Sequence, residues 1–275
     1  MPGERIAVVI PCFNDGATLR ETIASIDEPE PIELVVVDDG STDPETLAVL
    51  AELETAGTRV VHQENAGLSA ARMAGVRATS APYVSALDAD DLEASGALGA
   101  LADALDADPT ASVAWGDVKN FGEDETYRRL GRSLDPWLIT YVNELPADAM
   151  VRREALLAAG GWELKGGYED WDLWMALAER GARGIHVPVV TGWYRVRSNR
   201  MLADTQTRHE DMLALLRSRH PQLFAGRPAN RRRSGAPLRC KLLLPLVDRL
   251  PLGAYTKQRL FRLVNRPGAA LRARL

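Results

Sequence analysis

Three carboxylates stand close together in Asp88-Ala89-Asp90-Asp91, directly after the apolar segment Tyr83–Leu87. Mg²⁺ and Mn²⁺ prefer oxygen ligands, and Mg²⁺ commonly takes one or two carboxylates while phosphate and water complete its shell. The cluster is therefore suited to a metal–diphosphate complex. Acids ahead of Leu92-Glu93 also suit the N-terminus of a helix, and the motif alone does not choose between the two roles.

A second acidic pair, Glu169-Asp170, opens a predicted helix. At that position the helix dipole holds an acid ionised, so that it can accept a proton. The preceding Gly166-Gly167 lets the backbone approach a ligand closely. Asp172 is interpreted as an ordinary first-turn acid. An apolar stripe at helical spacing predicts core packing rather than a ligand platform, and it consists of Trp171, Trp174, Met175 and Ala178.

Two groups of cationic side chains are candidates for phosphate contacts. Arg72 lies one turn inside a predicted helix whose start, near Gly67 and Ser69, would expose backbone N–H groups to an anion. Arg195 and Arg197 follow the last predicted strand. In both cases the alternative is an ordinary solvated surface arginine.

The elements that must position these residues alternate between strand and helix four times in the first ninety residues. Continuous β-branched runs predict buried strands, and helical spacing of apolar residues predicts the helices between them. The predicted strands are Ile6–Ile10, Ile32–Val37, Val60–Val61 and Tyr83–Leu87, and the helices are Asp15–Ile26, Pro44–Ala56 and Ser69–Ala78. Such alternation favours a parallel α/β sheet, whose ligands bind at the carboxyl ends of the strands.

The pattern loosens after Asp108-Pro109. The stretch 116–148 has no sustained period and predicts long loops that line a site. Helices are predicted at Arg153–Ala159 and Asp170–Arg180, and a late strand at Pro188–Arg195. Four aromatic residues in this part could stack on a sugar, although packing in the core is the expected use of at least half of them: Trp115, Tyr127, Trp137 and Tyr141.

Charge is distributed unevenly along the chain. From Ala225 to Leu275 there are 13 Lys and Arg residues and one acid, Asp248, a local net charge of +12; since the whole chain carries −5, the first 224 residues carry −17. Leucines interleave with these basic residues as in interfacial helices, so the tail favours either an anionic membrane surface or packing on its own acidic domain or a partner. Arg231-Arg232-Arg233 is interpreted as a hinge into this tail.

Several other classes of protein are excluded or disfavoured. Two distant cysteines, Cys12 and Cys240, indicate a reducing compartment, and we expect no signal peptide because the apolar run ends at Pro11. No stretch approaches the roughly 20 apolar residues that span a bilayer. The first strand is not followed by a Gly-x-Gly-x-x-Gly motif, there is no P-loop lysine, and no histidine has zinc-ligand spacing to a cysteine.

Five ordered motifs together resemble the family 2 glycosyltransferases, which have the GT-A fold. The resemblance spans residues 5 to 200. The motifs are Val8–Asn14, Val35–Asp43, Asn65–Gly75, Asp88–Asp91 and Gly167–Trp174. It implies a mostly parallel, Rossmann-like α/β sheet flanked by helices, to which a helical basic C-terminal extension is added here. The expected parts are a nucleotide-sugar-binding half (1–110), an acceptor-binding half of the same domain (111–224) and the basic amphipathic tail (225–275).

The resemblance also implies roles for individual residues. Pro11, Phe13 and Asp39 would line the base pocket, with Asp39 accepting from the uracil N–H. Asn65, Arg72 and Asp88 would help to hold the nucleotide. Asp90, with Asp91, would carry Mg²⁺ or Mn²⁺. Asp170 would be the catalytic base, and Glu169 would orient the acceptor. Many relatives have His where Arg197 stands and Arg where Ala176 stands, so Arg195 and Arg197 are possible phosphate contacts instead.

The implied activity is inverting, metal-dependent transfer of a sugar from a nucleoside diphosphate to a hydroxyl acceptor. UDP is the expected nucleotide. The expected pathway is polysaccharide, glycolipid or cell-envelope glycan synthesis. The acceptor could be a glycan, a lipid-linked or a small molecule, and no nucleic-acid partner is expected. The predicted location is the cytoplasm, with peripheral contact to the inner face of the membrane. The alternatives are an inactive sugar-nucleotide-binding scaffold and a pyrophosphorylase-like enzyme.

Overall fold

The N-terminal half forms the predicted parallel strands. The computed structural model describes residues 3–197 and 208–265. All seven residues of β1 are buried, because helices cover both faces of the sheet. β1 pairs in parallel with β2 and β4, and β2 pairs in parallel with β3. The bounds are Ile6–Cys12 for β1, Glu33–Asp38 for β2, Arg59–His62 for β3 and Tyr83–Ala86 for β4.

The helices between these strands follow the predicted spacing. Asp43 caps α2 by accepting a hydrogen bond from the Thr46 N–H at 2.8 Å, and Pro44 occupies the first turn, where its missing N–H costs nothing. The bounds are Gly16–Ser25 for α1, Pro44–Thr55 for α2, Leu68–Ala78 for α3 and Ala97–Ala107 for α4.

Helix α3 lies unusually close to the sheet at Gly75. A Cβ atom on this residue would stand 2.2 Å from Cγ1 of Val9, which no real side chain tolerates. Glycine at position 75 therefore allows α3 to pack directly on β1. The same helix carries Arg72 one turn earlier.

The second half completes the same sheet with strands of both directions. β8 lies between β4 and β6 and is antiparallel to both, whereas β6 and β9 run parallel over a long ladder. The strand order is β3-β2-β1-β4-β8-β6-β9-β5, with β7 paired to β6. The bounds are Leu92–Glu93 for β5, Ala111–Gly122 for β6, Tyr127–Arg128 for β7, Met150–Arg152 for β8 and Arg183–Val196 for β9.

The prediction of loops throughout 116–148 is therefore wrong at its start. Residues 116–122 belong to β6, where pairing with β9 supplies the regularity that the sequence pattern lacks. This ladder contains register shifts between Ala111 and Val118, which explains why no two-residue period is visible there.

The helices after β8 pack the rest of the core. Asp172 of α6 is buried and accepts hydrogen bonds from Arg219 Nε at 2.7 Å, and it lies 2.8 Å from His220 Nε2. The predicted first-turn acid thus also joins α6 to α7. The bounds are Arg153–Ala158 for α5, Glu169–Glu179 for α6, His209–Arg219 for α7, Pro221–Ala225 for α8 and Arg227–Arg233 for α9, with a 3₁₀ turn at Leu138–Thr140.

The C-terminal extension is helical, as predicted. Helices α10 (Leu238–Arg249) and α11 (Ala254–Asn265) form a hairpin whose inner face packs on the body. Residues 238–265 therefore pack on their own chain, one of the alternatives left open by the sequence, and residues 266–275 of the tail lie outside the described residues. Arg231–Arg233 end α9, and the non-helical residues 234–237 lead into the hairpin, so their interpretation as a hinge stays a prediction. Among the described residues, no helix is both long and apolar enough to cross a bilayer.

Candidate active site

The carboxyl ends of β1 and β2 bring the predicted base-pocket residues together. Cys12 lies opposite Asp38 in the parallel ladder, and the Asp39 N–H donates to the Cys12 carbonyl at 2.9 Å. Pro11 is buried within β1, whereas Phe13, just beyond it, is 45% exposed. An aromatic ring that stays exposed at a sheet edge is available to stack on a base.

Asp39 is buried and anchors the loop that presents Asn65. Its Oδ1 accepts from Gln63 Nε2 at 2.6 Å and from the Ala66 N–H at 2.8 Å, and its Oδ2 accepts from the Gly67 N–H at 2.9 Å. A carboxylate offers about four acceptor positions, so Asp39 keeps some capacity for a ligand. Asn65 itself is exposed.

Gly40, the residue after Asp39, fits this loop because it has no side chain. Its φ of +73° lies in the left-handed region, and a Cβ atom would stand 2.8 Å from the Asn65 nitrogen. The turn after β2 and the Asn65 loop therefore touch directly.

The acids after β4 lie at the same sheet edge. They do not cap a helix, because Leu92–Glu93 forms β5 and α4 begins only at Ala97, so that alternative is wrong. Asp88 and Asp90 are half-buried. Burial, assisted by the negative charge of Asp88, raises the pKa of Asp90 to about 6.

Asp91 faces inward more than its two neighbours. Its Oδ1 accepts from the Arg195 N–H at 2.7 Å, so one oxygen is already engaged with β9. Burial, together with Asp88 and Asp90, raises its pKa well above the ordinary value. Among the three acids, Asp88 and Asp90 offer the more accessible oxygens.

The donor set fits a divalent cation that is completed by substrate. Within residues 3–197 and 208–265, no three His, Cys, Asp or Glu side chains are arranged to hold a metal unaided. Asp88 and Asp90 repel each other, and a hard cation that shares their oxygens relieves that repulsion. Mg²⁺ needs only one or two such carboxylates when phosphate and water supply the other ligands.

Glu169 and Asp170 begin α6, as predicted. The preceding Tyr168 adopts a left-handed conformation (φ 60°), and its hydroxyl lies 2.6 Å from His209 Nδ1, which fixes the approach to the helix. Burial, with the adjacent charge of Glu169, raises the pKa of Asp170 to about 7, so the expectation that the helix dipole keeps this acid ionised is wrong. A carboxylate with this pKa is suited to accept a proton near neutral pH.

Arg72 connects the two acidic groups. Its side chain is fully buried, Nη2 donates to Asp88 Oδ1 at 2.6 Å, and Nη1 donates to Glu169 Oε1 at 2.9 Å. The guanidinium also lies 5.7 Å from the centre of the Trp162 ring. The alternative of a solvated surface arginine is wrong, because Arg72 is buried and bonds to both Asp88 and Glu169.

Arg195 and Arg197 lie beside the acids that follow β4. Arg195 donates through Nε to the Asp90 carbonyl at 2.7 Å and through Nη2 to Glu21 Oε2 at 2.6 Å. Arg197 is 40% exposed, and its Nε lies 3.7 Å from Asp90 Oδ2. Arg197 is thus the more available of the two for an incoming anion.

Sequence reasoning missed two residues of this site. Asn143 donates through Nδ2 to Asp170 Oδ2 at 2.7 Å, and no spacing around position 143 indicates such a role. Burial raises the pKa of Asp148 to about 6, with Asp88 adding to the shift. Both lie in the stretch without periodicity, where only the folded chain brings them to the acids.

The four aromatic candidates for sugar stacking divide as expected. Trp115, Trp137 and Tyr141 are buried in the core clusters. Tyr127 is exposed, and its hydroxyl bonds to Asp117. At least half of the set therefore serves packing, which confirms that expectation.

Comparison with known proteins gives the family. The model of "Glycosyl transferase family 2" matches residues 7–158, more than half of the chain. The chain belongs to glycosyltransferase family 2. An uncharacterised glycosyltransferase of Mycobacterium tuberculosis (strain H37Rv) is 32% identical over 206 residues, which cover 70% of this chain and 87% of that protein.

Solved structures of glycosyltransferases share the fold. TarS of S. aureus (residues 1–349, with UDP-GlcNAc) has a TM-score of 0.63 at 16% identity, covering 97% of this chain and 74% of that one. The mannosyltransferase PcManGT of Pyrobaculum calidifontis, with GDP-Man and Mn²⁺, has a TM-score of 0.58 at 20% identity. The match covers 96% of this chain and 86% of that one. The predicted GT-A fold is confirmed, and the protein is a glycosyltransferase.

Proposed function

We propose that this glycosyltransferase moves a sugar, with inversion, from a nucleoside diphosphate to a hydroxyl acceptor, with Asp170 as the catalytic base. The observation that carries the proposal is the pair of acidic groups joined through Arg72. One group, Asp88 and Asp90, suits a cation on the diphosphate; the other presents a carboxylate whose pKa lies near neutrality.

In the proposed reaction the acceptor oxygen forms a bond to the anomeric carbon while the bond from that carbon to the diphosphate breaks. Asp170 takes the proton of the acceptor hydroxyl, and the electron pair of the broken bond leaves with the diphosphate. Asn143 holds the carboxylate of Asp170 in place, and Glu169 positions the acceptor. No covalent intermediate on the protein is needed.

Mg²⁺ or Mn²⁺ would be held by Asp90 together with the accessible oxygen of Asp88, and would neutralise charge that develops on the diphosphate. Asp91, expected from the resemblance to be the second ligand, has one oxygen bonded to the Arg195 N–H and would support the site from behind. Asp88 and Asn65 would help to hold the nucleotide, and Arg197 would contact phosphate, with Arg195 as its support. Arg72, first interpreted as a nucleotide contact, would act by holding Asp88 and Glu169 in position.

Recognition of the base is assigned to Pro11, Phe13 and Asp39. UDP is the expected nucleotide because a carboxylate such as Asp39 can accept from the uracil N–H. TarS was solved with UDP-GlcNAc and PcManGT with GDP-Man, so both nucleotides belong in the test. Asp39→Ala should weaken UDP binding, with Asp103→Ala, at an exposed acid on α4, as the control.

The test is a screen of UDP- and GDP-sugars for thermal stabilisation with Mn²⁺ and with EDTA, followed by release of the nucleoside diphosphate in the presence of acceptor pools. Stabilisation by UDP-sugars that needs Mn²⁺, followed by UDP release, is the expected result. Binding without release for every acceptor would favour the inactive scaffold. Formation of sugar-1-phosphate and nucleoside triphosphate when pyrophosphate is added would favour the pyrophosphorylase.

The acceptor is proposed at the level of its class: a hydroxyl of a glycan, a lipid-linked glycan or a small molecule in polysaccharide or cell-envelope synthesis. The proposed location is cytoplasmic, with peripheral contact to the inner face of the membrane. Such contact would bring the site to lipid-linked acceptors.

A further inference from the structure

The α10–α11 hairpin uses one face to attach to the body. Cys240, Leu244 and Phe261 are buried against Trp137 and Tyr141, and the rings of Phe261 and Tyr141 lie 5.2 Å apart. These contacts fix how the hairpin is oriented. Its opposite face therefore points away from the protein.

That opposite face is rich in exposed leucine. Leu238, Leu242 and Leu246 are 71%, 52% and 56% exposed, and their spacing of four residues places them in one stripe along α10. Of the fifteen large apolar side chains that are exposed in the described residues, eight belong to the hairpin and its turn. The other five are Leu243, Leu250, Leu252, Tyr255 and Leu263. Exposed apolar side chains that are concentrated on one part of a protein commonly mark an interaction site.

The same hairpin is strongly basic. Between residues 238 and 265 there are six Lys and Arg residues and one acid, Asp248. Asp248 is already paired, with Arg227 at 2.9 Å and Arg217 at 3.7 Å. Arg249, at the end of α10, and Arg259, on α11, are exposed. The face thus combines leucine with uncompensated positive charge.

We propose that this outer face of the hairpin is a docking surface for a bilayer that contains anionic phospholipid. Leucines enter the boundary between headgroups and acyl chains, while arginines and lysines meet the phosphates. A second copy of the chain fits less well, because two equally basic faces repel. Nucleic acid fits less well, because phosphate contacts require no apolar stripe.

The hairpin adjoins the acceptor side of the candidate active site. Trp137 and Tyr141 pack on it, and two residues after Tyr141 comes Asn143, which holds Asp170. The His209 ring, which contacts Tyr168 next to Glu169, also lies 6.4 Å from the ring of Tyr255. A membrane on the outer face would therefore lie near the end of the site that receives the acceptor.

The inference rests on the peripheral membrane contact in the proposed function. Its test uses neither donor nor acceptor, so a failure of membrane binding is distinguishable from a failure of sugar transfer. The full chain is sedimented with vesicles of phosphatidylcholine alone, or of equal parts phosphatidylcholine and phosphatidylglycerol. We expect binding to the anionic vesicles at least about tenfold tighter than to the neutral ones, and weakening with added salt.

Variants separate the two components of the surface. Leu242→Gln with Leu246→Gln should weaken binding by about tenfold or more, because two leucines no longer leave water. The matched control, Leu47→Gln with Leu157→Gln, changes two leucines of similar exposure on other helices and should bind like the parent. Because all four side chains are exposed, each variant should melt close to the parent temperature.

Three results would overturn the proposal. The first is unchanged vesicle binding by the Leu242→Gln, Leu246→Gln variant. The second is equal binding to neutral and anionic vesicles. The third is absence of binding to the anionic vesicles. A dimer that this variant abolishes in analytical ultracentrifugation would then assign the face to a second copy, and tight binding of duplex DNA would assign it to nucleic acid.

Discussion

The two acidic groups of the site differ in what compensates their charge. Asp88, Asp90 and Asp91 stand together after a strand. Asp88 contacts Arg72, and in the described residues the cationic side chain nearest the Asp90 carboxylate is Arg197, at 3.7 Å. Glu169 and Asp170 instead stand at a helix start, where Glu169 bonds to Arg72 and Asp170 to Asn143. Burial raises the pKa of an acid in both groups, but Asp170 accepts a side-chain hydrogen bond from Asn143, whereas the Asp90 carboxylate faces Arg197 only at 3.7 Å. The first arrangement is typical of a cation site and the second of a base.

The strongest way to test this division is Asp170→Asn. The amide keeps the shape of the side chain but cannot accept the proton, so transfer should fall by about 10³-fold. Donor binding, measured by calorimetry with Mn²⁺, should stay within a few fold of the parent. Asp211→Asn, an exposed first-turn acid of α7, serves as the control. Near-normal transfer by Asp170→Asn would assign the base elsewhere.

The proposed role of Asp90 in holding the cation is tested by Asp90→Asn. Loss of one carboxylate should reduce transfer by about 10²-fold, because charge on the leaving diphosphate is then poorly neutralised. The dependence of donor binding on Mn²⁺ should largely disappear, whereas for Asp170→Asn it should persist. If donor affinity with and without Mn²⁺ is the same in Asp90→Asn as in the parent, Asp90 does not hold the cation.

Arg72 joins the two groups, so its substitution should affect both. Arg72→Lys keeps the charge but cannot reach Asp88 and Glu169 at once, and transfer should fall by roughly 10- to 100-fold. Arg72→Met leaves two acids without a partner and should lower the free energy of unfolding by about 3–5 kcal/mol. Arg77→Lys, an exposed position on the same helix, should change neither activity nor the denaturation midpoint. Parent-like transfer by Arg72→Lys would refute the bridging role.

The smallest effect on transfer is expected from Asn143→Ala. It should appear as a shift in the dependence of the transfer rate on pH. Transfer by the parent should rise as pH increases through about 7, because Asp170 must be ionised to accept a proton. Asn143 donates to the ionised form and lowers the pKa of Asp170, so removing it raises this pKa and moves the rising limb to higher pH.

The control for this profile is Asn143→Ala combined with Asp170→Asn, whose residual transfer should lack the limb. A limb that stays in place in Asn143→Ala, despite lower activity, would indicate that Asn143 acts only through packing. Mn²⁺ concentration must be saturating at each pH, so that the titration of the metal-side acids does not enter the profile.

How well the sequence predicted each region depends on whether local patterns or long-range contacts form that region. Strands such as Ile6–Cys12 are buried on both faces and therefore read as continuous apolar runs, so the parallel half of the sheet and its polar edge were predictable. The two acidic motifs are contiguous in sequence, so they were found as well. Trp171 and Trp174 were correctly predicted as core residues from helical spacing.

The parts of the fold and site that the sequence did not predict depend on contacts between segments that are distant along the chain. Arg72 meets Glu169 across 97 positions of sequence and Asn143 meets Asp170 across 27, and no local period encodes either pair. Residues 116–122 gain their regularity from β9, far along the chain. The inner face of the tail is apolar in the same way as its outer face, so spacing alone could not separate packing on the body from an exposed surface.

The close approach of α3 to β1 at Gly75 has a consequence for how the protein can change. Position 75 is a core position, yet it sets the depth of the helix that carries Arg72, and so the length of the link between the two acidic groups. Even a single added methyl group would lift the helix away from Val9. In the proposed mechanism, the residue at position 75 is thus constrained by the reaction as well as by packing.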